Sequence, residues 1–307
     1  MPEGHTVHRL ATALWNLFGR QPVAVSSPQG PFAQGAALLD GWQVSETLAV
    51  GKQLFVRFQP ASLPAPLSAT DLSVMPDQDQ EYWLRVHLGL YGSWVFSADT
   101  SQTYSEIIGA PRLRIGEKER SLTSESNATW MVPPPRGQVR LRLESKHAVA
   151  DLSGPTVCEV ITHPEVLQVR ARIGPDPLLF RESNRRFITK AQASKRPIAA
   201  LLMDQAVIGG VGNIFRAETL FRCRLNPYLM GKEISTEKYL QLWRDLKIIM
   251  RRGVELGNIV TTEKKYRKLS DHYVYQRSGK PCLVCNEAVS MELLNTRKLY
   301  WCANCQK

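Results

Sequence analysis

The chain has 307 residues, 43% apolar and 22% charged, enough for about two cored domains on a scale of roughly 100–200 residues each. Lys and Arg total 39 against 28 Asp and Glu, a net charge of +11, and 15 of those cations against eight acids fall in the last 76 residues. No apolar run approaches the ~18–20 residues that span a bilayer, so the composition predicts a soluble, cytoplasmic protein with a polyanion-binding face toward its C-terminal end.

The chain opens Met1-Pro2-Glu3-Gly4, with no basic flank ahead of an apolar stretch, which predicts no signal peptide. Val7, Leu10, Ala11, Leu14 and Leu17 recur at helical spacing and predict a helix over about 6–18, ended by Gly19. Short alternating or β-branched runs follow at 23–25, 42–50, 54–58, 82–87, 93–96, 139–143 and 148–152, the pattern of an antiparallel sandwich or barrel. Residues 60–80 and about 97–137 fit no element and are read as surface insertions. Prolines 164, 175 and 177 punctuate an expected linker. Helical patterns then cover 184–193, 198–205, 214–222 and 236–256. The expected class is a multidomain α+β protein. It has an N-terminal β-sandwich with a leading helix (1–163), a linker (164–183), a helical domain (184–275) and a cysteine-bearing hairpin (276–307).

Cys282, Cys285, Cys302 and Cys305 form two C-x-x-C pairs separated by 16 residues, the spacing that supplies four thiolates to one tetrahedral Zn²⁺. Four protein ligands leave no open position, so the expected zinc is structural. Two strands lie between the pairs, with Asn295-Thr296-Arg297 at their turn. An arginine there reaches a nucleic-acid phosphate, or is solvated like most turn arginines. Gly209-Gly210-Val211-Gly212-Asn213-Ile214-Phe215 is neither a dinucleotide fingerprint, since Phe215 stands where the third glycine belongs, nor a phosphate-binding P-loop. It leaves a hinge between two helices, whose free N–H groups and Asn213 side chain suit a DNA phosphate, or a tight turn kept for close packing.

Leu201-Leu202-Met203-Asp204-Gln205, followed by the glycine turn and Arg216-Ala217-Glu218, resembles the helix-two-turn-helix of the formamidopyrimidine-DNA glycosylase/endonuclease VIII family. The four-cysteine hairpin with Arg297 is similar to that family's zinc finger, and Met1-Pro2-Glu3-Gly4 to its catalytic start. The three motifs lie in order along essentially the whole chain. The resemblance implies a bifunctional DNA glycosylase/AP lyase that works in base-excision repair on damaged DNA, as a monomer without membrane attachment.

The N-terminal residues suit that chemistry. Removal of Met1 would leave Pro2 a free secondary amine, and an α-amine with pKa about 7.7–8.0 is partly neutral at pH 7. Such an amine condenses with a sugar C1′ to an iminium, an electron sink for base loss and β-elimination. Glu3 beside it is the expected proton-transfer group. By resemblance, Lys52 in Gly51-Lys52-Gln53-Leu54 is the family's β-hairpin lysine, and His87-Leu88-Gly89-Leu90-Tyr91-Gly92 its void-filling loop. There Leu90 and Tyr91 would fill the gap left by an extruded nucleotide and His87 would touch phosphate. Otherwise Leu90 and Tyr91 are sandwich core, and His87 is a structural histidine.

The chain also departs from the family pattern. Thr6 replaces a second glutamate found in many members, 37 residues separate Lys52 from Leu90, and the segment 257–272 is short. The short 257–272 segment, the Met1-Pro2-Glu3-Gly4 start, the Gly51-Lys52-Gln53-Leu54 lysine and the Leu90-Tyr91 pair nevertheless resemble the endonuclease VIII branch, which implies oxidised pyrimidines. The alternatives are the 8-oxoguanine branch and a non-catalytic zinc-ribbon DNA-binding protein.

Overall fold

A computed structural model describes residues 2–61, 81–99, 112–114, 120–121, 130–180 and 182–307. Two compact units divide the chain. The first takes in Met1–Pro2, Val7–Ala49 and Gln53–Arg170; the second takes in Glu3–Thr6, Val50–Lys52 and Ala171–Lys307. Two short N-terminal pieces thus pack with the C-terminal half, an exchange invisible in the order of the sequence.

In the first unit, α1 (Gly4–Phe18) continues from its opening turn with Val7, Leu10, Leu14, Leu17 and Phe18 buried along one stripe, as its periodicity requires. The strands are β1 (Ala24–Ser26), β2 (Gln43–Val50), β3 (Gln53–Gln59), β4 (Tyr82–His87), β5 (Ser93–Ala98), β6 (Arg112–Arg114), β7 (Arg120–Ser121), β8 (Val139–Glu144), β9 (Ala148–Ser153) and β10 (Val157–Ile161). Eight of them make two four-stranded sheets, ordered β1-β8-β9-β5 and β10-β4-β3-β2. Val56, Phe58, Leu84 and Val86 from one sheet share a single core with Trp94, Phe96, Leu141, Leu143 and Leu152 from the other. Two sheets over one core make a sandwich and not a barrel.

The sequence patterns missed α2 (Ala33–Leu39), β10 and α3 (His163–Arg172), besides β6 and β7. The helix α3 occupies much of the stretch read as a linker. Its prolines misled because Pro164 sits at the second helical position, where a missing N–H has no partner to lose. Thr162 completes the start, its backbone N and its Oγ1 both donating to Glu165 Oε2 at 2.8 Å. Within 97–137, read as free of elements, β5 runs on to Ala98 and β6 pairs with β7. Of the 60–80 insertion, residues 62–80 lie outside the described residues.

The second unit carries α4 (Arg185–Gln192), α5 (Ile198–Leu201), α6 (Asn213–Arg222), α7 (Thr236–Leu256) and the hairpin β11 (Ser290–Leu294)–β12 (Arg297–Trp301). Phe187, Leu201, Ile208, Phe215, Leu220, Tyr239, Leu242, Leu246 and Met250 form its core, with Leu299 of the hairpin packed among them. The helix expected over 198–205 ends at Leu201, because Asp204 turns its carboxylate back to the chain. Its Oδ1 accepts from Ala206 N at 3.0 Å, and its Oδ2 pairs with Arg196. Ser235 caps α7, and Gly257 ends it in the left-handed region at φ +75°. No described helix is long and apolar enough to cross a membrane.

Candidate active site, phosphate-facing surface and metal centre

The first turn of α6 offers backbone N–H groups that no helical carbonyl can satisfy. In this protein a side chain from the far end of the sequence takes them. The buried Glu3 carboxylate accepts from Gly212 N at 2.9 Å, Ile214 N at 2.8 Å and Phe215 N at 3.3 Å. Negative charge at a helix N-terminus is also favoured by the helix dipole. Gly212 makes room for it, since a Cβ there would stand 2.4 Å from Glu3 Cδ. Gly4 N donates to Gly210 O at 2.8 Å, and Gln205 braces the glycine turn, accepting from Gly210 N and donating to Val211 O. Burial pushes the Glu3 carboxyl above its ordinary range, against the pull of the Lys52 charge and the three N–H donors.

Lys52 is the second residue of a two-residue turn between β2 and β3. Gly51, at φ +60°, makes that turn, and its N–H donates to Asp176 Oδ2 at 2.7 Å. Burial lowers the Lys52 pKa; the Glu3 charge opposes this and the Arg297 charge adds to it. Asn213 begins α6 half-buried, and its Oδ1 accepts from Arg216 Nη2. Arg297 is exposed at the start of β12, just past the turn and not within it as the sequence suggested. Asn295 and Thr296, at φ +49° and +64°, make the turn itself. Arg216 is buried, with its pKa drawn down to about 10 by burial, Glu3 opposing and Arg297 adding. One carboxylate thus stands among three cations, Lys52, Arg216 and Arg297, a field suited to an anion.

His87, Leu90 and Tyr91 belong to the first unit. His87 ends β4 half-buried, paired across to Gln53 and Val157. Beyond it the chain turns tightly: Gly89 is at φ +67°, and Gly92 N donates to Leu88 O at 2.9 Å. Leu88 is buried, while Leu90 is 41% and Tyr91 83% exposed. The sandwich-core alternative for Leu90 and Tyr91 is therefore wrong. A turn this short has its tip outside any core, so both apolar side chains face out.

The four cysteine sulfurs lie within 4.8 Å of one another. The distances Cys282–Cys305, 3.9 Å, and Cys285–Cys302, 3.5 Å, bracket the ~3.8 Å edge of a tetrahedron with metal–sulfur bonds of about 2.3 Å. Gln306 ties this unit to the helices, accepting from Cys302 N at 2.9 Å and donating to Leu225 O at 3.1 Å. The cluster fits one tetrahedral metal ion.

The sequence reading quoted Gly212, Arg216 and Glu218 within motifs without giving them roles, and gave none to Asp176. Glu218 is buried in α6 and accepts from Tyr273 N, Val274 N and Tyr275 N at 2.8–2.9 Å and from Thr261 Oγ1. Only Asp176 left a signal, as an acid between two prolines, the composition of a turn that bonds its own backbone.

The family model for the Formamidopyrimidine-DNA glycosylase H2TH domain matches residues 173–265. Endonuclease 8 1 of Mycobacterium tuberculosis is 37% identical over 314 aligned positions, covering both chains completely. Formamidopyrimidine-DNA glycosylase of Thermus thermophilus is 34% identical over 143 positions, 44% of this chain and 54% of that protein. Among solved structures, Lactococcus lactis Fpg (MutM) in complex with DNA containing N7-benzyl-Fapy-dG superposes with a TM-score of 0.70 at 18% identity, covering both chains completely. The chain belongs to the formamidopyrimidine-DNA glycosylase/endonuclease VIII family of DNA glycosylase/AP lyases.

Proposed function

We propose that this enzyme excises oxidised bases from damaged DNA, pyrimidines in preference to 8-oxoguanine, through a covalent intermediate on Pro2. The observation that carries the reading is the seat of Glu3, a buried carboxyl raised in proton affinity, directly after Pro2 and within reach of the Lys52 charge. Its raised pKa is the direction a proton donor needs near neutral pH.

The steps follow from these groups. With Met1 removed, the neutral Pro2 nitrogen bonds to C1′ as the glycosidic bond breaks; the bond's electron pair leaves with the base, which is protonated by the proton that the Pro2 nitrogen gives up. The sugar ring then opens, the ring oxygen receiving its proton from Glu3. The resulting iminium acidifies C2′; the Glu3 carboxylate, having given up its proton, takes the one from C2′, and the freed electron pair expels the 3′ phosphate by β-elimination. Lys52, Asn213, Arg297 and His87 are assigned to backbone phosphates and leaving oxygens, and the excess positive charge around Glu3 supports this. The exposed Leu90 and Tyr91 are assigned to the gap left by the extruded nucleotide. The four cysteines would hold one structural zinc, which orders the Arg297 hairpin and takes no part in the reaction.

Borohydride trapping on an oligonucleotide with one abasic site is the test. The protein with a free Pro2 amine is expected to give a covalent adduct, and an N-terminally blocked form to bind DNA without one. Strand cleavage by the blocked form would sink the Pro2 mechanism. Single-turnover excision of thymine glycol beside 8-oxoguanine opposite cytosine decides the branch, faster release of 8-oxoguanine being the contrary result.

A further inference from the structure

Among the groups that α6 buries, Arg216 stands out because no acid among the described residues is in contact with its charge. The side chain is 1% exposed, yet one nitrogen, Nη2, makes both of its hydrogen bonds, to Asn213 Oδ1 and to the backbone carbonyl of Lys298 at 2.9 Å. Its Nε has no hydrogen-bond partner among the described residues. The same side chain lines a cavity of about 290 Å³ together with Arg196, Asn295 and Arg297. Burying an arginine on two neutral acceptors is costly, so its place calls for a role beyond packing.

Each acceptor adjoins a candidate phosphate contact. An Asn side chain has one oxygen and one NH₂ group, and a donor fixed on the oxygen decides which way the NH₂ points. Arg216 holds Asn213 Oδ1, which leaves the Asn213 Nδ2 donors free for an acceptor outside. Lys298 directly follows Arg297 in β12, so the bond to its carbonyl pins the strand that carries the Arg297 guanidinium. We propose that Arg216 is a positioning residue that sets the Asn213 amide and the Arg297 hairpin against one DNA backbone phosphate. The proposal rests on the assignment of Asn213 and Arg297 to phosphate.

The test uses the full chain, with zinc content and thermal melting as controls, and binding to a duplex with one uncleavable abasic analogue. Asn213→Ala and Arg216→Gln are each expected to weaken binding by about tenfold, and the double variant by little more than either alone, since both remove one oriented amide. Because a single nitrogen serves both acceptors, the ammonium of Arg216→Lys can replace it and is expected to stay within about threefold of wild type.

Wild-type binding by Arg216→Gln beside a weakened Asn213→Ala overturns the proposal alone. So does full additivity in the double variant. Unchanged binding by both Asn213→Ala and Arg297→Ala overturns the phosphate assignment and the proposal with it. Should Arg216→Gln lose its zinc or fail to fold, Arg216→Lys decides: a folded, zinc-bound form that binds tenfold more weakly than wild type overturns the proposal.

Discussion

Gly212→Ala isolates the seating of Glu3 better than any change to Glu3 itself. The backbone at Gly212 is extended, at φ −124° and ψ −160°, so alanine is tolerated there and only the new methyl group matters. It would lie 2.4 Å from Glu3 Cδ, 2.6 Å from Cγ and 2.7 Å from Oε1, where ordinary contacts begin near 3.4 Å. Relief requires the carboxyl to move by about 1 Å, which stretches its bonds to Ile214 and Phe215 beyond useful length. Overpacking and weakened hydrogen bonds together should destabilise the fold by about 2 kcal/mol, part of the loss being offset as the carboxyl regains water. A displacement of about 1 Å in a catalytic group should slow base excision by about 100-fold. Single-turnover release of thymine glycol measures the rate, and urea unfolding measures the stability. Adding Glu3→Asp, one methylene shorter, should restore most of the stability but not the rate. Wild-type excision by a Gly212→Ala protein that melts normally would refute the claim that this carboxyl must sit where it does.

Three further outcomes follow from the same geometry. Leu90→Ala and Tyr91→Ala, being exposed, should alter stability by no more than about 0.5 kcal/mol while slowing excision from duplex DNA, with cleavage of single-stranded abasic DNA spared; equal slowing on both substrates would remove the wedge role. Glu218→Gln turns an amide NH₂ toward two of the four donors that Glu218 satisfies, and should cost about 3 kcal/mol. Hydrogen exchange at Tyr273, Val274 and Tyr275 reads the local loss, and unchanged protection there would contradict it. The raised pKa of Glu3 means that its stabilising contribution is present below the unfolded value near 4.5 and is lost as pH rises through the folded value. Urea unfolding of Glu3→Gln should therefore gain on wild type as pH rises from 4 toward neutrality, and a constant difference would show the carboxyl to be unshifted.

Periodicity carried the strongly patterned elements: α1, α7 and the strands from β2 to β9 with described cores lie within a few residues of their expected bounds. Short or proline-marked elements were lost, because α2 has seven residues and α3 carries in its first turn a proline whose helical use depends on Thr162 and Glu165. The identities of the candidate catalytic residues were legible; their surroundings were not. Nothing in Met1-Pro2-Glu3-Gly4 says that the carboxyl will cap a helix more than 200 residues away. Long-range partners of that kind arise from the fold, which local pattern does not encode. Leu90 and Tyr91 are apolar in sequence and exposed in the fold, and only the tight turn at Gly89 separates the two readings.

The hardest stretch to read was α6, and it supports most of the site. Its sequence, Asn213 to Arg222, has charged and hydroxyl residues where an amphipathic helix would show a solvent face, yet Phe215 through Phe221 are all buried. A helix packed on every side must satisfy its polar groups internally, and here most of them do so by holding another segment. The first-turn amides take Glu3, Arg216 takes Asn213 and the hairpin carbonyl, and Glu218 takes the loop through Tyr273–Tyr275. Thr219 and Arg222 both donate to Asp245 of α7. The buried polar groups of α6 thus hold in fixed register Glu3, the Arg297 hairpin and the loop that leads to the cysteines. A reaction that needs a proton donor and phosphate contacts at fixed separations gains from mounting them on one rigid, fully packed helix. Because those polar and charged side chains are buried to hold other segments, a helix packed on every side carries the composition of a surface helix.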